Sequence, residues 1–444
     1  MRKRQSSSFV SVMLVLIVAG SLIQFASAAG PELVSASTDV RLEQLMIEGN
    51  IPSLHVCIVS EDSINWVRGF GEETNVETPF LIGSIQKVFV AISVMQLFEK
   101  GEIELDTDVS EYLPFDLINP MHPNITITPR LLLAHRSGLG IYLPYEFCYD
   151  WNGEPFSDYT IGYSTSVINI TLAEYLSDCL VIGGQHYSNE NWLSWEPGTE
   201  YSYANSGFKL LMCLLETVTG QSISDYMQEN IFTSLRLNNT GFNATALDTP
   251  QATPYTRNDI TNTALPVWNG EYMIRSSISD MGNLLIALMN MGEFDGQQLL
   301  QPETIEMMME NTYSDVSTWD LRKEPKWKGY GLGLDMFSHE LHGHGGSTIG
   351  FTADCHFNPT LKKGFVRLSN VNSILDPTGE EWRDIYAVTN EVKTIVLAEV
   401  GMIPPIGILE VSLILMPCGC AVAIISTIIR KRRATNNTQP ELIE

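Results

Sequence analysis

The sequence predicts an α/β (α+β) protein: an antiparallel sheet built from both chain ends, flanked by helices, with an inserted helical lobe. Three observations carry this expectation. Residues 53–70 (SLHVCIVSEDSINWVRGF) place two apolar runs around Glu61-Asp62-Ser63, as a β-hairpin does. Residues 343–357 and 364–370 read as strands near the other end. Between these ends several stretches have helical spacing.

The elements follow in order. Residues 84–101 (SIQKVFVAISVMQLFEKG) are apolar all round and close on Lys100-Gly101, the pattern of a buried helix ended by glycine. A turn-rich connector covers 106–114. Thr128-Pro129-Arg130-Leu131 opens a second helical stretch that meets His135-Arg136-Ser137-Gly138. Residues 140–195 are irregular and rich in Tyr and Trp, which fits an insertion over a site and equally a structural flap. Helical spacing returns over 206–235, 276–292 and 302–311, and 380–400 is a long final helix.

The chain ends have their own patterns. Arg2-Lys3-Arg4, an apolar run over 9–23 and Ala26-Ser27-Ala28 make residues 1–28 a secretory signal peptide. Residues 411–429 carry no charge, are long enough to cross a bilayer, and meet Arg430-Lys431-Arg432-Arg433 at once. The expectation is a single-pass cell-membrane protein. Its domain (29–402) lies outside the cytoplasm, a linker spans 403–410, one C-terminal helix crosses, and the tail (430–444) is cytoplasmic. Sequons at Asn124, Asn169, Asn238 and Asn243 fit that topology and an N-glycosylated protein. Cys57 and Cys213 read as core residues, and Cys148 and Cys179 as the candidate disulfide pair.

Composition narrows the partners. Lys+Arg total 26 against 52 Asp+Glu, and the net charge of −26 repels polyanions, which excludes nucleic acid as a partner. A hydrophobic content of 44% suits a packed core, not disorder.

Three segments carry residues for chemistry. In Gly83-Ser84-Ile85-Gln86-Lys87 a lysine three residues on shares the serine's helix face and can take its proton; the same pattern also fits a serine N-cap with an exposed lysine. Ser84 stands at a helix start, where N–H groups favour developing negative charge. Tyr203-Ala204-Asn205 offers a phenol as a base and an amide to hold substrate. His344-Gly345-Gly346-Ser347 sits in a glycine-rich strand whose edge can approach a substrate and offer an N–H.

Together these segments resemble the β-lactamase-related serine hydrolases: class C β-lactamases, D-alanyl-D-alanine carboxypeptidases, related esterases and aminopeptidases. Ser84-x-x-Lys87 matches the first motif, Tyr203-x-Asn205 looks like the second, and His344-x-Gly346 looks like the third. LLLAHRSGL (131–139), PGTEYSYANSGF (197–208), SSISDMGNLL (276–285) and YGLGL (330–334) resemble further stretches of the family, so the resemblance spans roughly 40–400. It implies a penicillin-binding/β-lactamase-type fold. It also implies Ser84 as the acylated nucleophile and Lys87 and Tyr203 as proton carriers. By the same resemblance the N–H groups of Ser84 and Ser347 would form the oxyanion hole, Asn205, Gly345 and Gly346 would bind substrate, and His344 would line the third side.

Two departures matter. His344 stands where β-lactamases carry lysine. An ordinary imidazole, with a pKa of about 6.5, is mostly neutral and cannot clamp a carboxylate as an ammonium does. That favours small peptides, amides or esters over β-lactams. Arg136 replaces the family's usual threonine, and the sequence offers no reason. His339, His342 and His344 crowd one segment but lack the helical spacing of a zinc motif, so neither a metal nor another cofactor is expected. The competing function is a non-hydrolytic, anchored binder that senses penicillin or peptide.

Overall fold

A computed structural model describes residues 36–140, 171–242, 247–258, 261–264, 273–313, 327–348, 350–372 and 380–403. Its centre is a seven-stranded antiparallel sheet. The strand order is Ser63–Gly71, Ser53–Ser60, Lys363–Ser369, Phe351–Asn358, Leu341–Thr348, Asp335–Phe337, Trp327–Tyr330. The two chain ends join where Ser53–Ser60 pairs with Lys363–Ser369, Cys57 lying opposite Val366. The sheet assembled from both ends is therefore as the sequence predicts.

Strand alternation divides the core into two clusters. Leu54, Val56 and Ile58 pack with Leu42 and Leu45 of the Ala36–Glu48 helix and with Val392 and Val396 of the Glu380–Glu399 helix. Cys57 and Val59 join the cluster that holds Val88, Phe89 and Leu284 of the inserted helices. The Ala36–Glu48 helix has no counterpart among the sequence expectations.

Local signals end the helices. After a 3-10 turn at Gly83–Ile85, the Gln86–Glu99 helix is buried along most of its length. It stops at left-handed Gly101, with Glu102 N–H donating to Leu97 O and Gly101 N–H to Phe98 O. The expected helical stretch at 206–235 breaks at Gly220, also left-handed, and Ser222 caps a new short helix, Ile223–Met227. Thr128 caps Pro129–Leu133, Ser277 caps Ile278–Met289, and Thr171 with Glu174 forms a capping box on Leu172–Leu180.

Some expectations need correction. The stretch 343–357 is not one strand but two, Leu341–Thr348 and Phe351–Asn358, folded back through left-handed Gly350 with His344 opposite Cys355. Trp327–Tyr330 and Asp335–Phe337, two further strands, went unpredicted because each is too short to show alternation. The expected single-pass membrane anchor is also corrected. Among the described residues no helix is long and apolar enough to cross a membrane, and the Glu380–Glu399 helix packs on the sheet. The stretches 1–28 and 411–429 lie outside the described residues, as do 141–170 of the expected insertion and Cys148. Cys57, Cys179 and Cys213 are buried.

Candidate active site

The site begins where the sequence changes from strand to helix. Phe80–Leu81 pairs with Arg275–Ser276, and Ile82 N–H donates to Ile274 O, which fixes the run into Gly83. Gly83 is left-handed (φ +54°), and a Cβ there would lie 2.7 Å from Ser347 N. No side chain fits. The glycine strand makes the reciprocal concession: a Cβ on Gly346 would overlap Ile82 O, while a Cβ on Gly345 would meet open space. The turn bearing Ser84 thus seats directly on the backbone of Ser347.

Lys87 lies one turn on, 3% exposed, and its Nζ donates to Ser84 Oγ at 3.1 Å. The same Nζ lies 4.9 Å from the Tyr203 ring centroid and 5.7 Å from that of Phe208. The structure therefore places Ser84, Lys87 and Tyr203 in one contact chain, and His344 extends it, its ring 6.2 Å from that of Tyr203. Asn205 is half-buried at the start of the Asn205–Thr219 helix, two residues after Tyr203.

Tyr203 is held from behind by His135. That residue is buried and left-handed (φ 55°). Its Nδ1 accepts from Ala204 N–H at 3.1 Å, its carbonyl accepts from Ser202 N–H at 2.8 Å, and its ring lies 4.2 Å from Tyr203. Burial drives its imidazole pKa well below the ordinary range, and Lys87 and His344 push the same way. His135 is thus a neutral support.

Arg136 gains the account the sequence lacked. Nη1 donates to Thr312 O at 2.6 Å, Nη2 donates to Gly198 O, and the guanidinium lies 5.9 Å from the Tyr313 ring. It ties the Tyr203 loop to the neighbouring segment. Tyr313 in turn stacks on Tyr201, 5.7 Å between centroids. Asn372 secures the Ser347 side of the site, its Nδ2 donating to Ser347 Oγ at 2.7 Å and Thr348 O at 2.8 Å.

His344 is 3% exposed. Burial depresses its pKa; Lys87 adds to the depression, while Asp335 and the Gly345 carbonyl oppose it. Tyr330, 14 residues earlier in the chain, reaches His344 Nε2 with its hydroxyl at 3.1 Å. The sequence marked 330–334 only as a shared stretch. Nothing local identifies Tyr330, Asn372 or His135 as parts of the site.

Known proteins share this frame. The family model described as Beta-lactamase matches residues 39–389. "Penicillin-binding protein 4" of Amycolatopsis lactamdurans is 24% identical over 335 residues, covering 70% of this chain and 78% of that protein. "Protein flp" of Staphylococcus aureus (strain MRSA252) is 23% identical over 354 residues, covering 76% of this chain. The chain spans 62% of that relative's length. The solved D-amino acid amidase from Ochrobactrum anthropi SV3, complexed with L-phenylalanine, superposes with TM-score 0.59 at 17% identity, covering 81% of this chain and 98% of that one. The fold is therefore the penicillin-binding/β-lactamase type. With most of its length inside the family model, the chain belongs to the β-lactamase family of hydrolases.

Proposed function

We propose that this chain is a serine hydrolase that forms an acyl-enzyme on Ser84. It cleaves small peptides, amides or esters, in the manner of a D-alanyl carboxypeptidase, esterase or aminopeptidase, with weak or no action on β-lactams. The observation that carries this is the bond from buried Lys87 Nζ to Ser84 Oγ, 3.1 Å long, at the head of a buried helix. A lysine so placed can accept the hydroxyl proton as Oγ attacks a carbonyl carbon. Tyr203, against the same Nζ, passes the proton to the leaving group. The tetrahedral oxygen sits between the N–H groups of Ser84 and Ser347, brought together by Gly83 and Gly346. Asn205, Gly345 and Gly346 line the substrate side, and water then releases the acyl group. The neighbouring solved amidase is an example of amide chemistry on this fold.

A fluorophosphonate probe and a fluorescent penicillin, applied to the wild type and Ser84→Ala, test the nucleophile. Labelling that vanishes in Ser84→Ala supports it. Equal labelling of both proteins, or of neither, removes the proposal. A panel of D-aminoacyl amides, aryl esters and cephalosporins then tests turnover. The proposal expects an amide or ester to be fastest. Labelling with no turnover would favour a binder, and a cephalosporin ahead of all others would reverse the substrate assignment.

A further inference from the structure

Both nitrogens of the His344 ring are engaged. Nδ1 lies 2.5 Å from Gly345 O, and Nε2 lies 3.1 Å from the Tyr330 hydroxyl. A carbonyl oxygen only accepts, so Nδ1 carries the proton. In neutral imidazole Nε2 is then an acceptor, and the Tyr330 O–H donates to it. We propose that Tyr330 is a positioning residue that locks His344 as the neutral Nδ1–H tautomer, so that the third wall of the site presents no fixed cation and selects substrates lacking a carboxylate there. The Nδ1 proton follows from the contacts and the neutral ring from its burial; the substrate preference rests on the hydrolase proposal.

The surroundings favour this state. Tyr330 is fully buried at the edge of the sheet, and burial together with Tyr203 and Asp335 holds its phenol well above the usual range, so it stays a donor. The groups acting on His344 are Lys87 from the helix, Tyr203 and His135 from the loops, Asp335 on the next strand and His356 on the paired strand. Lys87 opposes an imidazolium and Asp335 favours one. A hydrogen bond given to the Nε2 lone pair stabilises the neutral ring further. Removing it raises the pKa of His344. A carboxylate at this wall then meets a cation only in the variant, and only at acid pH.

The test uses the full chain with nitrogen-15 in its histidine rings, His344 being assigned through His344→Gln. Multiple-bond proton–nitrogen spectra distinguish the tautomers. The wild type should keep the Nδ1–H form to below the ordinary imidazole midpoint of about pH 6.5, and Tyr330→Phe should move the midpoint upward by about one unit. Two aryl acetates, para-acetoxybenzoate and its methyl ester, test the consequence. The ratio of their kcat/KM values should be flat with pH in the wild type. In Tyr330→Phe it should rise toward the charged ester on acidification, by up to about tenfold over the wild type, since a one-unit shift raises the imidazolium fraction at a given pH by at most that factor. An Nε2–H tautomer in the wild type, a full wild-type titration near the ordinary midpoint, or a Tyr330→Phe midpoint and ratio matching the wild type would overturn the proposal. The wild-type spectrum decides even if the variant does not fold. Because it needs no turnover, an inert Ser84 would defeat the hydrolase proposal and leave the tautomer lock standing.

Discussion

Two lysines are buried on opposite faces of one sheet, and they have different company. Lys87, 3% exposed, meets the Ser84 hydroxyl and the faces of Tyr203 and Phe208. Lys393, 7% exposed, lies 3.5 Å from the Asp354 carboxylate and 3.1 Å from His356 Nε2, over the Phe337 ring. Asp354 also receives Arg367 through Nε at 2.8 Å and Nη2 at 2.6 Å. Burial alone would raise the Asp354 pKa, but Arg367 and Lys393 outweigh it and hold the carboxyl at about 2. Burial lowers the Lys393 pKa while Asp354 opposes that shift, and the pair fastens the terminal helix to the sheet. A buried lysine beside a hydroxyl can, as the neutral amine, accept that hydroxyl's proton. The contrast teaches that burial makes a lysine costly, and its partner decides whether that cost goes into anchoring or chemistry.

Substitutions on each face can break this comparison. Lys87→Ala should have the largest effect, slowing fluorophosphonate labelling of Ser84 by about a thousandfold. The midpoint of urea unfolding should barely change, so a comparable loss of stability would make Lys87 an anchor too. Asp354→Asn should do the reverse. It leaves Arg367 and Lys393 without their counter-charge and should cost about 3–5 kcal/mol in denaturant unfolding, with the labelling rate of the folded protein retained.

The acid limb sharpens the point. The Asp354 pKa is depressed on folding, so its contribution is present above its unfolded value of about 3.9 and is lost as pH falls through about 2, roughly 2–3 kcal/mol in all. In Asp354→Asn the pH dependence of stability should flatten in that window.

Arg136→Ala should be intermediate. It releases the Gly198 and Thr312 carbonyls and should cost about 1–3 kcal/mol and slow labelling about tenfold through the Tyr203 loop. A loss of stability with unchanged labelling would separate that loop from the site.

Asp280→Asn should be smallest. Burial raises the Asp280 carboxyl to about 6 despite bonds from Asn239 N–H and the Thr240 hydroxyl. Its contribution is therefore complete below its unfolded pKa of about 3.9 and is lost as pH rises through about 6. The variant should gain about 1 kcal/mol on the wild type between about pH 5 and about pH 8, read from unfolding curves.

What the sequence disclosed was local. Alternation in 53–70, the all-round apolar run after Ser84 and the helix caps depend on neighbours within a few residues. So does the Ser84–Lys87 pair, one turn apart on a helix. What it hid was long-range. The 343–357 stretch holds glycines at 343, 345, 346 and 350, so its sequence does not single out the turn at Gly350. Arg136 finds its role through Thr312, Asp354 through Arg367 and Lys393, and His344 through Tyr330. None of these pairings leaves a periodic trace. His344 shows the gap best: its type and position were legible, but not its burial or the Tyr330 hydroxyl that reaches it from another strand.

The central claim is that Ser84 attacks while Lys87 and Tyr203 manage its proton. The most direct measurement is to quench the reaction with an activated aryl acetate in acid within its first turnovers and map the trapped acetyl group by peptide mass spectrometry. We expect the acetyl on Ser84, appearing as a burst in the wild type and absent in Ser84→Ala. Steady turnover with Ser84 unmodified, or an acetyl group on a different residue that persists in Ser84→Ala, would contradict it.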